Sequence, residues 1–466
     1  MGSASIELQP TGRNSGADIG TGAVSSASDV GSSTSNPDNS LENQLQNQEF
    51  SLPPVDGGKD ALLFLAAAFM LEALVWGFPF SFGVFQDYYT SHAPFAGSAS
   101  IAVIGTCAMG IMYLTGPLTM GFLRLYPGLG RWSPIVGLLV MCLALAMSSF
   151  STTVTHLIIT QGVLYAIGGC ICYSPCIVYM DEWFVKRKGL AYGTMWAGTG
   201  LAGVVLPLLL ENLLNKYGFK TTLRIWSIVV FVLTAPLAKF LKPRLPQSPV
   251  THIKKFNLSF IFTRTFAVYQ LANVAEAFGF FLPGIYLPSY ARSALGVSGS
   301  LSALTLLLVN VASVFGCVAM GHLIDRFHVT TCFLISTAGA TIGTFLFWGM
   351  ATNLAMLYVF CVVYGLFAGS YTSAWPGIMR EVVKKGGEGN NGRGVDSSMV
   401  FAFLAAGRGV GNVASGPLSE AMAKGFPWRG NAFAGYGSGY GPLIVFTGVT
   451  ALLGGGSFLW RRIGWL

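Results

Sequence analysis

Apolar residues in this chain fall in long unbroken runs. They show neither the alternation of a strand nor the one-sided stripe of a surface helix. "ALLFLAAAFMLEALVWGFPFSFGVF", from Ala61 to Phe85, is typical. A hydrocarbon core about 30 Å thick takes about 20 helical residues at about 1.5 Å each. Twelve runs meet that length, beginning near Asp60, Ser98, Trp132, Thr155, Leu190, Thr221, Phe266, Ser300, Thr330, Leu354, Ser397 and Gly441. The polar stretch "KPRLPQSPVTHIKKFN" divides them six and six. Runs this long do not suit barrel strands. The pattern predicts an all-α membrane protein with twelve transmembrane helices.

Composition agrees. Hydrophobic residues make up 53% of the chain and charged residues only 10%, against about a quarter charged in soluble domains. A net charge of +8 in a soluble protein would suggest nucleic acid. Here the basic residues sit in the gaps between apolar runs, so nucleic acid is not an expected partner. Loops after even-numbered spans carry sixteen Lys and Arg, including Lys186-Arg187-Lys188 and Lys384-Lys385, and loops after odd-numbered spans carry six. Basic residues concentrate on the cytoplasmic side, so both termini are expected there, in the plasma membrane or an internal membrane such as the vacuolar one. The first ~55 residues are rich in Ser, Gly, Asn and Asp, a disordered composition. The expected organisation is a cytoplasmic tail over 1–55, a six-helix bundle over 56–241, a cytoplasmic linker over 242–263 and a second bundle over 264–466.

The two groups of six spans repeat one another. "EALVWGFP" from Glu72 and "EAFGFFLP" from Glu276 place a carboxylate, an alanine and a proline at the same spacing, in the first and seventh spans. "MWAGTGLAG" in the fifth span and "FLAAGRGVG" in the eleventh share Ala-Gly-x-Gly. The fourth and tenth spans each carry a tyrosine, small residues, a proline and then acids. Matched features in matching order indicate a parallel duplication, with a site near the midplane between the two pseudo-repeats.

Several stretches also carry a family likeness. "GHLIDR", Gly321 to Arg326, fits the loop pattern Gly-x-x-x-Asp-Arg of the major facilitator superfamily. "DGGKDALLFLAAAFMLEALVWGFPFSFGVFQDYY", "WFVKRKGLAYGTMWAGTG", "WPGIMREV" and "LAAGRGVGNVASGPLSEA" resemble the monocarboxylate-transporter-like members, the fungal ones in particular. The resemblance implies a secondary transporter that alternates between inward- and outward-open states. It implies a small organic substrate, a proton as a second candidate partner, the bilayer as surroundings, no cofactor and no obligate protein partner. The chain departs from the animal members where they carry charge. Phe80 stands in place of a lysine, and Ser313 and Cys317 in place of an Asp and an Arg. A monocarboxylate substrate therefore does not follow. Numerous aromatic residues favour export of a hydrophobic organic acid or secondary metabolite. Proton-coupled uptake of a monocarboxylate or vitamin-like acid is the second reading, and a non-transporting nutrient sensor on a transporter scaffold is the rival from another class.

Catalytic motifs are wanting. "GTGLAG", Gly198 to Gly203, is a literal G-x-G-x-x-G, but it lies inside an apolar span, where small residues serve close helix packing rather than a dinucleotide. Cys170, Cys172 and Cys176 have no histidine near them and fit packing better than a metal site. No phosphate-binding loop or nucleophile elbow occurs, so the chain is not expected to be an enzyme.

Three charges fall far from water. Glu72 and Glu276 each lie roughly 18–20 Å into their spans, and Arg408 is roughly 22 Å from Arg393. Such charges cost on the order of 3 kcal/mol on insertion scales unless a partner or wet cavity receives them. Each carboxylate fits two roles, a neutral acid bonded to a neighbouring helix or a titrating group that couples transport to protons. Arg408 fits a structural pair with a carboxylate or a receptor for an anionic substrate group. Asn310 fits a substrate contact or a helix–helix hydrogen bond. Pro79 and Pro283, seven residues after the glutamates and on the same helix faces, are candidate hinges. Asp181, Glu182, Arg187, Lys188, Asp325 and Arg326 fit cytoplasmic gate pairs that break as the halves rock, or plain surface charge.

Overall fold

A computed structural model describes residues 52–98, 100–245, 257–388 and 394–464. The expected tail over 1–55, apart from its last four residues, lies outside them. So do the middle of the expected linker and the basic residues Lys254, Lys255 and Arg393.

The described residues are helical, without strands. Nine stretches are long and apolar enough to cross a membrane. They are α1 (Gly58–Ser91), α2 (Ile101–Leu125), α4 (Val154–Trp183), the long stretch Lys188–Lys239, α7 (Arg264–Leu295), α8 (Gly299–Arg326), α9 (Val329–Trp348), α10 (Leu354–Gly386) and α12 (Gly441–Arg462). The long stretch holds two spans, α5 over 188–217 and α6 over 219–239. Gly218 separates them with φ 73° and ψ 169°, a conformation that costs a residue with a Cβ. Two further helices, α3 (Ser133–Ser148) and α11 (Ser397–Ala423), complete twelve. Every start falls within three residues of the hydropathy expectation.

Side-chain caps set several starts. Thr153, Thr263, Asn353 and Asp396 accept hydrogen bonds from the first free N–H groups of α4, α7, α10 and α11, each worth about 1 kcal/mol.

Proline shapes the middles. In α1 the turn Glu72–Trp76 widens to π geometry, and the helix is interrupted at Ser81, just past Pro79. Pro79 has no N–H for the carbonyl of Val75, four residues earlier. The buried Tyr165 hydroxyl of α4 donates to that oxygen at 2.8 Å instead. α7 runs through Pro283 without a break, and Tyr364 of α10 donates to Phe280 O at 3.1 Å. The tyrosines matched between the fourth and tenth spans thus both bond a backbone carbonyl ahead of a proline, but only Tyr165 takes the one its proline frees; Pro283 frees Gly279 O, one residue before Phe280.

The two halves meet along glycine seams. A methyl group on Gly193 of α5 would stand 2.3 Å from Cys317 O of α8, and one on Gly409 of α11 would stand 2.8 Å from Tyr113 Cβ of α2. The backbones are too close for any side chain there, which is how small residues hold membrane helices together.

Candidate functional site

The G-x-G-x-x-G stretch of α5 is a packing motif with a polar residue set in it. Gly198 lies against α1, where an added Cβ would be 2.4 Å from Phe69 O. Gly200 and Gly203 lie against Asn310 and Val314 of α8. Wedged between both neighbours, α5 directs Thr199 to Glu72, and Thr199 Oγ1 donates to Glu72 Oε1 at 2.5 Å. Glu72 is only 3% exposed. Its Oε2 is buried with no hydrogen-bond partner among the described residues. The Tyr173 hydroxyl stands beside this carboxylate but donates to Met195 Sδ, 3.6 Å away.

The second half carries the counterpart. Arg408 Nη1 meets Glu276 Oε2 at 2.6 Å, with both side chains almost fully buried. The guanidinium also covers the Phe280 ring at 4.1 Å, a cation–π contact that strengthens when dry. The sequence repeat explains the likeness. Glu72 matches Glu276, and Thr199 holds in Ala-Gly-Thr-Gly the place that Arg408 holds in Ala-Gly-Arg-Gly. One pair is ionic. The other leaves a carboxylate without a counter-charge.

Between the halves lies a cavity of about 110 Å³. Its walls come from α1, α2, α4 and α5 on one side and α7, α8, α10 and α11 on the other. Glu72, Thr199, Asn310 and Arg408 line it, as do Phe80, Ser313 and Cys317. Asn310 Nδ2 also donates to Gly203 O at 3.2 Å, so the helix–helix bond exists at a cavity wall. Glu276 does not line this cavity. It faces a smaller one, behind Phe280, with Tyr364 and Tyr371. Pro79 and Pro283 are both buried and are not among the lining residues.

Two layers close the cavity toward the face that carries the even-numbered connections. The inner layer is aromatic. Trp196 of α5 stacks on Phe401 of α11 (centroids 6.0 Å apart, 13° between planes) and meets Trp375 of α10 edge-on at 5.9 Å. The outer layer is polar and crosses between the halves. Asp325 of α8 accepts from the Gly189 and Leu190 N–H groups at 2.8 and 2.9 Å, capping the start of α5. Arg380 approaches Asp325 at 3.7 Å and donates to Ile324 O. Lys188 pairs with Asp181 at 2.7 Å and donates to Ser397 Oγ at 2.8 Å. Arg124 of α2 pairs with Asp396 of α11 at 3.0 Å.

Of the six residues expected at this gate, Asp181, Lys188 and Asp325 meet there. Glu182 instead accepts from the Arg244 and Leu245 N–H groups and ties the segment after α6 to the end of α4. Arg187 and Arg326 form no ion pair among the described residues. The Arg187 backbone N–H bonds Asp56. Asp56 also takes the N–H groups of Val185 and Lys186 at 3.0 Å. Burial pushes the Asp56 carboxyl up, but these three donors outweigh it and hold it below its usual value.

Thr199, the aromatic layer and the pairs made by Arg124, Arg380 and Asp396 were not expected from the sequence. Thr199 had a signal, its alignment with Arg408 in the repeat. Asp396 had another, an acid immediately before an apolar run that begins Ser-Ser. The aromatic layer had none, because its three rings come from three distant spans.

The family model described as "Major Facilitator Superfamily" matches residues 62–389 and 271–458. The chain is 27% identical over 411 residues to the "MFS transporter asaE" of Aspergillus flavus, covering 87% of each chain. It is 27% identical over 420 residues to the "Agnestins efflux protein AgnL12" of Paecilomyces divaricatus, covering 86% of this chain and 87% of that protein. To the "Fujikurins efflux protein" of Gibberella fujikuroi it is 26% identical over 348 residues, 72% of this chain and 73% of that one.

Proposed function

Because the chain belongs to the Major Facilitator Superfamily, a family of membrane transporters and not of enzymes, we propose that it exports a hydrophobic secondary metabolite by alternating access. The observation that carries this reading is the central cavity. It lies between the halves, its wall is mostly aromatic and apolar, and it is closed toward one face by contacts that cross from half to half. Two relatives that cover most of the chain are named as efflux proteins, which supports the direction. The positions where an anion carrier of the related type has charge hold Phe80, Ser313 and Cys317 at the cavity wall, which supports an apolar cargo over a monocarboxylate.

In this reading Glu72 couples export to protons. A carboxylate without a counter-charge is costly in a dry wall, so it takes a proton when the cavity faces one side and releases it toward the other. A proton then returns for each solute that leaves. Glu276 holds Arg408 and does not titrate in the cycle. The Lys and Arg bias supports a cytoplasmic closed face, and export out of the cell would place the protein in the plasma membrane. Opening it breaks the Asp325, Lys188 and Arg124 contacts and separates Trp196 from Trp375 and Phe401. Closure of the opposite face by rocking the halves completes the cycle.

The test compares small metabolites in medium and cells of strains with and without the protein. Export predicts at least one apolar metabolite depleted from the medium and retained in cells on deletion. Unchanged distributions across the metabolite set would refute it.

A further inference from the structure

The duplicated pair points to the cargo's chemistry. In the second half Arg408 is already satisfied: Glu276 lies 2.6 Å from it and Phe280 covers its face. Arg408 lines the cavity, but its charge is already balanced there by a buried carboxylate, with which an anionic solute would have to compete. In the first half Thr199 occupies only one oxygen of Glu72, and Oε2, buried at the cavity wall, has no partner among the described residues. Among the described residues the cavity wall therefore offers an unfilled acceptor, and its one buried guanidinium already has a counter-charge. Indole N–H groups of Trp76 and Trp375, both cavity residues, are buried without partners among the described residues as well. Trp76 stands 4.6 Å from Tyr113, and Trp196 stacks on Phe401, so flat apolar faces bound the space.

We infer that the cavity recognises an uncharged aromatic solute through a hydroxyl group that donates to Glu72 Oε2, its ring lying among the Trp and Tyr faces and its oxygen atoms accepting from the indole N–H groups. Arg408 is a structural cation and not an anion receptor. The inference rests on the export reading of the same cavity.

Three probes of one shape decide it: β-naphthol, its methyl ether and β-naphthoate. They share the ring and differ in having a neutral donor, no donor, or an anion at neutral pH. Binding is measured by calorimetry on the full chain in nanodiscs. β-Naphthol should bind about tenfold more tightly than either companion, the discrimination expected of one hydrogen bond to a charged group. Glu72→Leu should bring naphthol and ether to within about twofold. Thr199→Arg, which copies the second half's ion pair into the first, should do the same, and it decides the matter if Glu72→Leu does not fold. Equal binding of naphthol and ether, tighter binding of naphthoate, no saturable binding of naphthol, or a preference that survives in the folded variants would each overturn the inference. The export reading fails separately. A strain whose metabolite distribution is unchanged on deletion refutes export even if the naphthol preference holds, and normal export with equal naphthol and ether binding refutes only the recognition chemistry.

Discussion

Glu276→Gln keeps the size of the side chain and a hydrogen-bonding oxygen but removes the charge that Arg408 faces. Arg408 is 1% exposed, its partner oxygen is 2.6 Å away, and its only other close contacts of note are aromatic. Removing one member of a buried pair typically costs about 3–5 kcal/mol, because the other charge is left uncompensated. With an unfolding entropy of about 2.1 cal/mol/K per residue over roughly 400 ordered residues, that becomes a fall in Tm of about 4–6 °C. Thermal unfolding of purified protein in one detergent, followed by intrinsic fluorescence, reads it. Combining Glu276→Gln with Arg408→Met removes the stranded charge as well and should recover most of the loss, a coupling seen as non-additivity in the cycle. A single variant within about 1 °C of wild type, or a double variant that loses the sum of both singles, would refute the claim that this pair is a closed, mutually satisfied unit.

Asp325→Ala removes the acceptor for the Gly189 and Leu190 N–H groups, each such charged bond being worth about 1.5–3 kcal/mol. Maleimide labelling of a Trp375→Cys reporter in a cysteine-free background should speed up by tenfold or more, and unchanged labelling would show that the polar layer does not hold the face closed. Tyr165→Phe leaves the buried carbonyl of Val75 unsatisfied and should cost about 1–3 kcal/mol, read as a drop in Tm of a few degrees. An unaltered Tm would mean that another donor serves Pro79's freed carbonyl. Asp56→Ala should lower stability by about 0.5–2 kcal/mol, as loss of a cap does, at neutral pH. The native carboxyl titrates below its unfolded value of 3.8, so its contribution is fully present above that value and disappears as pH falls through the lower native one. Wild type and variant should converge as acid protonates the native carboxyl, and a difference undiminished by acidification would rule out the charged bonds as its source.

The twelve spans were legible because a bilayer imposes a length, and hydropathy reports length directly. The duplication was legible for a related reason. Glu72, Arg408 and the two prolines are expensive inside a membrane, so their spacing stands out from the apolar background. Glu276 shows the limit. Its depth and its proline matched Glu72, yet it faces away from the central cavity, because rotation about a helix axis is set by packing partners that one sequence does not display. The gate shows another limit. Glu182 and Lys188 look alike as loop charges, but only Lys188 sits where α5 meets the second half. Arg124 and Asp396 lie 272 positions apart in the numbering, and no local pattern joins them. Thr199 was readable only by extending the repeat from charged residues to the neutral one in register with Arg408.

The most direct test of the account is gradient-driven transport by Glu72→Gln. In sealed vesicles the wild-type protein should concentrate the metabolite whose export is lost on deletion, in proportion to the imposed pH difference. The variant should fold, reach the membrane and equilibrate that metabolite without concentrating it. Accumulation equal to wild type with the same pH dependence would contradict the account.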